Sequence, residues 1–158
     1  MRKSFLYLPM LLAFMLVVIS CGKTTTPEPT AIENMTKTWS VDVVKEGGTQ
    51  VYKKGGTTNS APGYGSYRLG LLAAGAATLT AVDGTNFTGN WALSTDNRTL
   101  TLTNLKNSAG VTPTGSNPAG TIVYNITSSI TATAVTLETA SADLKAGNKI
   151  VNLQLVNP

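Results

Sequence analysis

Between residues 77 and 103, three consecutive segments place an apolar residue at every second position. In the middle segment, Phe87 and Trp91 fall on one face, with threonine and asparagine on the other. Successive side chains of a strand point to opposite faces of a sheet, so this alternation predicts three strands, each buried on one face. Turn-forming residues separate them, and Asp83-Gly84 is typical of a type I′ hairpin, in which both central residues have positive φ. We therefore predict a three-stranded antiparallel meander.

The same alternation predicts further strands on both sides of this meander. They centre on Trp39-Val41-Val43, Gln50 to Lys53, Ile122-Tyr124-Ile126, Ala134 to Glu138 and Val151-Leu153-Leu155. A bend or bulge is expected between Ile130 and Val135, where the apolar phase slips. Residues 67–77 fit a buried strand or a short helix equally well. Seven or eight strands with one polar face each predict an all-β fold, either a small antiparallel barrel or a β-sandwich.

The first twenty residues have the pattern of a secretory signal. Arg2 and Lys3 precede the uncharged run from Phe5 to Ile19, which would rise only ~22 Å as a helix, less than the ~30 Å of a bilayer core. The segment Val18-Ile19-Ser20-Cys21 that follows resembles the lipobox of bacterial lipoproteins. The resemblance implies cleavage before Cys21, a diacylglycerol thioether on its sulfur and a fatty acyl group on its new amino terminus. The alternative is a plain signal peptide with a chance cysteine.

The expected domain order follows from that cleavage. Residues 1–20 are the signal peptide, 21–35 the lipidated cysteine and a flexible tether, and 36–158 the folded domain. Between Lys23 and Thr30, Glu28 is the only acid, so the acidic run that marks some lipoproteins for the cell surface is missing. We expect an outer-membrane lipoprotein on the periplasmic face, with the membrane as its partner through Cys21.

Composition argues against several classes of function. The chain has no histidine and one cysteine, so it has neither a Ser-His-Asp triad nor a His-bearing zinc site. Asp83, Asn86 and Asp96 are too far apart in the chain for a calcium loop, and turn chemistry explains them. Loss of the two basic signal residues leaves ten basic against eight acidic residues without a basic stripe, so nucleic acid is not an expected partner. We expect no enzyme, no metal and no cofactor.

One stretch resembles a known group. Gly89-Asn90-Trp91-Ala92-Leu93, then Asp96, then Leu100-Thr101-Leu102 resembles the GxWxL…D…LxL hairpin of lipocalin-like domain lipoproteins. The resemblance covers roughly residues 36–156 and implies an antiparallel, barrel-like meander anchored at its amino end. Two departures stand out: Trp39 lacks the glycine of the lipocalin GxW entry motif, and the final strand offers only Lys149 where lipocalins place an arginine over that tryptophan.

The candidate ligand-binding residues are aromatic. Trp39 and Trp91 either line a cavity or fill the core, and Tyr64 and Tyr67 either form a binding lip or anchor a loop. The loops at 64–67 and 106–120 are expected at the mouth of the barrel. The expected function is non-enzymatic binding of a small apolar or amphipathic molecule. The alternative is a structural or interaction lipoprotein with a solid core that contacts another envelope protein.

Overall fold

The computed structural model describes residues 27–158, so the signal peptide and Cys21 lie outside the described part. The elements in chain order are α1 (Ala31–Met35), β1 (Thr38–Glu46), β2 (Thr49–Lys53), β3 (Arg68–Leu71), β4 (Ala76–Thr80), β5 (Asn86–Leu93), β6 (Thr99–Lys106), β7 (Ile122–Ile126), β8 (Ala134–Thr139) and β9 (Val151–Val156). Two 3-10 helices, Pro62–Ser66 and Ala73–Gly75, lie between β2 and β4. Within this part of the chain, no helix is long and apolar enough to cross a membrane.

The strands form a closed antiparallel barrel. Strands β3 to β9 pair one after another in chain order, and β1 pairs with β3. Strand β1 also pairs with β9, from Ser40↔Val156 to Glu46↔Val151. Eight strands close the barrel, and β2 adds a ninth along the second half of β1. The all-β prediction is confirmed, and of the two predicted architectures the barrel is the observed one. The predicted count of seven or eight agrees with the eight strands that close the barrel, and the sheet has nine strands in all.

The predicted meander is present as β4, β5 and β6. On β5, Phe87 and Trp91 are buried and the residues between them are not. The predicted type I′ turn is wrong: Gly84 has φ +81°, but Asp83 is not among the described residues with positive φ. The amide of Gly84 donates to the carbonyl of Ala81 at 2.9 Å. The turn is therefore centred on Val82 and Asp83, and Gly84 follows it in the left-handed region, which is the geometry of a three-residue hairpin loop.

Strand β1 departs from strict alternation. Its pairing with β9 shifts register between Val41 and Val43, which marks a bulge. One extra residue in a strand reverses the faces of all residues that follow. Val44 therefore joins Trp39 and Val41 in the core, and Val43, which the alternation assigned to that face, does not belong to the core cluster.

The two ambiguous stretches have clear structures. Residues 67–77 contain the buried strand β3 followed by the short 3-10 helix Ala73–Gly75, so each of the two alternatives holds for part of the stretch. The phase slip between Ile130 and Val135 falls in the loop that joins β7 to β8.

Residues 31–35, which the sequence assigned to the tether, form α1. Thr30 caps this helix in a capping box with Glu33, and Met35 at its end is fully buried. The indole N–H of Trp39 donates to the carbonyl of Met35 at 3.0 Å. This end of the barrel, where β1 begins, is called the closed end below.

The loop end is the opposite end, where β1, β4, β6 and β8 finish. It carries the 3-10 helix Pro62–Ser66 and the loops 81–85, 107–121 and 140–150. The ammonium of Lys145 lies 2.6 Å from the Asp83 carboxylate and joins two of these loops.

Candidate functional site

A cavity of about 70 Å³ lies at the loop end. Tyr64, Tyr67 and Tyr124 line it, and all three are buried. Its apolar wall includes Leu79, Ile122, Val151 and Leu153, and its polar wall includes Thr114, Thr139, Asp143 and Lys145. The cavity therefore combines an apolar floor with phenol hydroxyls and a carboxylate, which suits a molecule with one apolar and one polar part.

Tyr64 is placed by its short helix. A side chain at Gly63 would approach the carbonyl oxygen of Val82 to 2.7 Å, so the absence of a Cβ lets this helix pack closely against the turn between β4 and β5. The Tyr64 hydroxyl donates to Oε1 of Glu46 at 2.9 Å, and its ring centre lies 6.4 Å from that of Tyr52. Burial and the hydrogen bond with Glu46 raise the pKa of the Tyr64 phenol, so the hydroxyl stays protonated and donating.

Tyr67 and Tyr124 form a buried pair, with their hydroxyl oxygens 3.1 Å apart. Tyr67 is 6% exposed and Tyr124 4%. Burial raises the pKa of both phenols, that of Tyr124 to about 12. Both hydroxyls are therefore neutral over the physiological range.

The loop 140–150 supplies the charged groups of the wall. Oδ1 of Asp143 accepts the backbone N–H of Lys145 at 2.7 Å, which fixes the carboxylate beside the three tyrosines. The Lys145 ammonium is paired with Asp83, and this hydrogen bond is the main cause that lowers the pKa of Asp83 to about 2. The cation of the wall is thus neutralised, while Asp143 remains as the acidic residue of the cavity lining.

A wider cleft of about 290 Å³ adjoins the cavity and shares Thr114, Ile122, Thr139 and Asp143 with it. Its other walls include residues 115–117 and 140–144. These two segments belong to loops at the loop end, and residues 115–117 lie within the loop 106–120, which was predicted at the mouth of the barrel. Cavity and cleft together reach the lower end of the ~300–1,000 Å³ range of ligand pockets.

The structure separates the four candidate aromatic residues. Tyr64 and Tyr67 line the cavity, whereas Trp39 and Trp91 lie toward the closed end and are not among its lining residues. Trp39 is fully buried, and the indole N–H of Trp91 donates to the carbonyl of Leu72 at 2.8 Å. Trp91 lines a separate, shallow groove of about 720 Å³ together with Ile32 and Leu72.

Three titratable residues of the cavity were not among the sequence candidates: Tyr124, Asp143 and Lys145. Tyr124 was predicted as an inward residue of β7, and that orientation was the available signal. Asp143 and Lys145 lie in an irregular loop whose sequence has no periodic pattern, so nothing in the sequence indicated their position.

Among residues 27–158, no group of three or more acidic or cysteine side chains is placed to hold a metal ion. The Asp83 carboxylate is paired with Lys145 and accepts the backbone N–H of Thr85. The Asp96 carboxylate accepts the backbone N–H of Arg98. What the cavity offers is apolar contact and hydrogen bonding.

Neither a family model nor a curated protein matches the chain. Two solved structures match the chain. A lipocalin-like protein from Bacteroides uniformis superimposes with a TM-score of 0.50 at 14% sequence identity, over 79% of this chain and 99% of that one. An uncharacterized protein from Bacteroides eggerthii superimposes with a TM-score of 0.46 at 15% identity, over 78% and 99% of the two chains. The chain therefore has a lipocalin-like barrel fold.

Proposed function

We propose that the mature chain is a lipid-anchored, non-enzymatic envelope protein that binds a small amphipathic molecule at the loop end of its barrel. The observation that carries this proposal is the cavity between Tyr64, Tyr67 and Tyr124, which continues into a cleft at that end. The closed end, by contrast, is filled by Met35 and Trp39. A ligand would enter between the loops 107–121 and 140–150.

The anchor is proposed at Cys21, on the strength of the segment Val18-Ile19-Ser20-Cys21, with the protein on the periplasmic face of the outer membrane. Nine residues lie between Cys21 and Ala31, and the ten residue steps give a reach of at most ~35 Å. Because α1 lies at the closed end, the anchor would hold that end toward the bilayer and leave the loop end open to the periplasm. Cys21→Ser is expected to abolish incorporation of labelled palmitate. Incorporation by this variant equal to the wild type would refute the anchor.

The small volume limits the ligand. A cavity of about 70 Å³ admits a short molecule or the end of a longer one, whose remainder would occupy the cleft. Bulky ligands such as those held by wide barrels do not fit without movement of the loops. A short amphipathic molecule, with its apolar end on Leu79 and Leu153 and its polar end near the tyrosines, matches the lining.

The test is native mass spectrometry of the mature, lipidated chain extracted in mild detergent. We expect a retained mass of at most a few hundred daltons beyond the acylated protein. Ala81 is a half-buried residue of the cavity lining. Ala81→Phe would therefore fill the cavity and should remove that mass. Trp91→Phe, at the other end of the barrel, should retain it. A chain that stays bare after incubation with total lipid extract would contradict the proposal.

A second candidate is a structural or interaction lipoprotein that contacts another envelope protein. It is favoured by the shallow groove at the closed end, where Ile32 is 57% exposed and Leu72 44% exposed. Large apolar side chains exposed side by side often mark a protein interface. A photo-crosslinker at position 32 should then capture one partner in intact envelopes, and one at Val111, an exposed position of the loop end, should not. Capture of the same proteins from both positions would count against this candidate.

A further inference from the structure

The hydrogen-bonding capacity of the Tyr67–Tyr124 pair is not used up within the protein. Each phenol carries one proton, and the single contact between the hydroxyls, 3.1 Å long, uses one of the two protons. Among the hydrogen bonds of residues 27–158, no other involves either hydroxyl. The second proton therefore belongs to a hydroxyl that is almost completely buried and that lines the cavity. A buried donor of this kind favours a ligand with an acceptor atom.

The charges around the cavity disfavour an anion. Asp143 belongs to the wall, and the Tyr64 hydroxyl already donates to the carboxylate of Glu46, which is not itself a lining residue. The one lysine of the wall, Lys145, is already paired with Asp83. An anionic headgroup would lose its hydration and meet the Asp143 carboxylate, and the lysine among the lining residues is already paired.

A cationic headgroup fits less well than a neutral one. Asp143 lines both the cavity and the cleft and would attract it, but an ammonium has no acceptor atom for the proton that the tyrosine pair presents. Inside the cavity a cation would face the apolar floor and a hydroxyl that presents its proton. A neutral acceptor meets neither penalty.

We infer that the cavity takes an uncharged amphiphile whose hydroxyl, carbonyl or ether oxygen accepts a hydrogen bond from the Tyr67–Tyr124 pair, and that it discriminates against carboxylates of the same chain length. This inference rests on the proposed binding function and specifies its ligand class.

The experiment compares three probes of equal length, hexanol, hexanoate and hexylamine, on the mature chain anchored in nanodiscs. Binding is followed by the NMR signals of ring-labelled tyrosines, which report the site and are insensitive to probe dissolved in the lipid. Affinities are referred to the free concentration in water. We expect hexanol to bind at least tenfold more tightly than either charged probe. Hexanoate or hexylamine binding as tightly as hexanol would overturn the ligand class but leave the binding function intact, whereas no response to any probe would overturn both.

Two variants separate the donor from the charge. Either phenol alone can still donate to the ligand, so the double variant Tyr67→Phe/Tyr124→Phe is the decisive one. This double variant should lower the affinity for hexanol about threefold to tenfold, which is the range expected for the loss of one neutral hydrogen bond. Asp143→Asn keeps the oxygen that accepts the Lys145 N–H and removes the charge, so it should strengthen the binding of hexanoate relative to that of hexanol. Unchanged hexanol affinity in the double variant, or unchanged hexanoate affinity relative to hexanol in Asp143→Asn, would refute the corresponding half of the inference.

Discussion

The ammonium of Lys37 lies 5.2 Å from the centre of the Trp39 ring. The same ammonium donates to the carbonyl of Ala132 at 2.6 Å, so Lys37 also joins the start of β1 to the loop between β7 and β8. In the sequence, Lys149 was the only cation of the final strand that could take the place of the arginine that lipocalins position over this tryptophan. Lys149 instead lies beside Gly47 at the loop end, and the cation over the indole comes from two residues before the tryptophan itself.

This relationship predicts a stabilising role for Lys37. Lys37→Met keeps the aliphatic stem and removes the charge, so we expect the free energy of unfolding to fall by about 1 kcal/mol, the size of a cation–π contact with a hydrogen bond. Urea unfolding followed by tryptophan fluorescence measures it. Lys37→Arg should restore most of the loss, and Lys149→Met serves as the matched control with little effect. Equal losses for Lys37→Met and Lys149→Met would show that the contact contributes nothing.

Gly89 is predicted to be the glycine least tolerant of substitution within the strands. A Cβ there would overlap the carbonyl oxygen of Thr103 and approach the amide nitrogen of Leu105 to 3.0 Å. These are backbone atoms of β6 at the place where the register between β5 and β6 shifts, so the neighbour cannot rotate away. Gly89→Ala should cost about 2–3 kcal/mol of unfolding free energy by overpacking, measured by urea titration.

Gly70 provides the contrasting case. A Cβ at Gly70 would also meet a neighbour closely, but that atom is the side-chain hydroxyl of Thr78, which can be removed. The double variant Gly70→Ala/Thr78→Ala should therefore be more stable than Gly70→Ala alone, whereas Gly89→Ala has no such rescue by a side-chain truncation. A rescue of Gly89→Ala by Thr103→Ala would contradict the assignment to backbone.

The meander was predictable because its information is local. On β5 and β6 the period of two is uninterrupted for several residues on each strand, and burial on one face follows directly. Strand β1 shows where this reasoning ends. Nothing in its sequence marks the bulge after Val41, which is imposed by pairing with β9 more than a hundred residues away.

The candidate site was predictable only in part, because the barrel assembles it from distant segments. Tyr64 and Tyr67 were found from their position in a glycine-rich loop. Their partner Tyr124 is 57 residues from Tyr67 and comes close through barrel closure. Asp143 belongs to a loop without periodicity, so its place beside the tyrosines follows from tertiary structure alone.

Removal of the ion pair between Lys145 and Asp83 should raise the pKa of Asp83. In Lys145→Met, the pKa of Asp83 is expected to rise from about 2 toward its ordinary value of 3.8, because the side-chain hydrogen bond from Lys145 is the main cause of its lowering. The hydrogen bond from the backbone N–H of Thr85 remains, so the return should be incomplete. Carbon-detected NMR of the carboxyl group measures this shift, with Lys149→Met as the control. A pKa that stays near 2 in Lys145→Met would mean that the backbone contact alone is responsible.

The buried tyrosines predict how stability depends on alkaline pH. Burial raises the pKa of Tyr67 and Tyr124 above the ordinary value of 10, so above pH 10 the unfolded chain loses phenol protons that the folded chain retains. Their contribution is fully present below pH 10 and is lost as the pH rises through the folded values, about 12 for Tyr124. Each phenol should steepen the decline of the unfolding free energy by about 1.4 kcal/mol per pH unit in that window.

Urea midpoints between pH 9 and 12 measure this slope. Tyr67→Phe/Tyr124→Phe removes the two phenols of the buried pair at nearly constant volume, so its stability should decline less steeply above pH 10 than that of the wild type. Trp91→Phe changes a buried aromatic residue at the other end of the barrel without removing a phenol, and should keep the wild-type slope. If the double variant and the wild type declined in parallel, the two hydroxyls would ionise in the folded chain as readily as in the unfolded one. The cavity would then be wetter than its geometry indicates, and the discrimination against carboxylates should weaken with it.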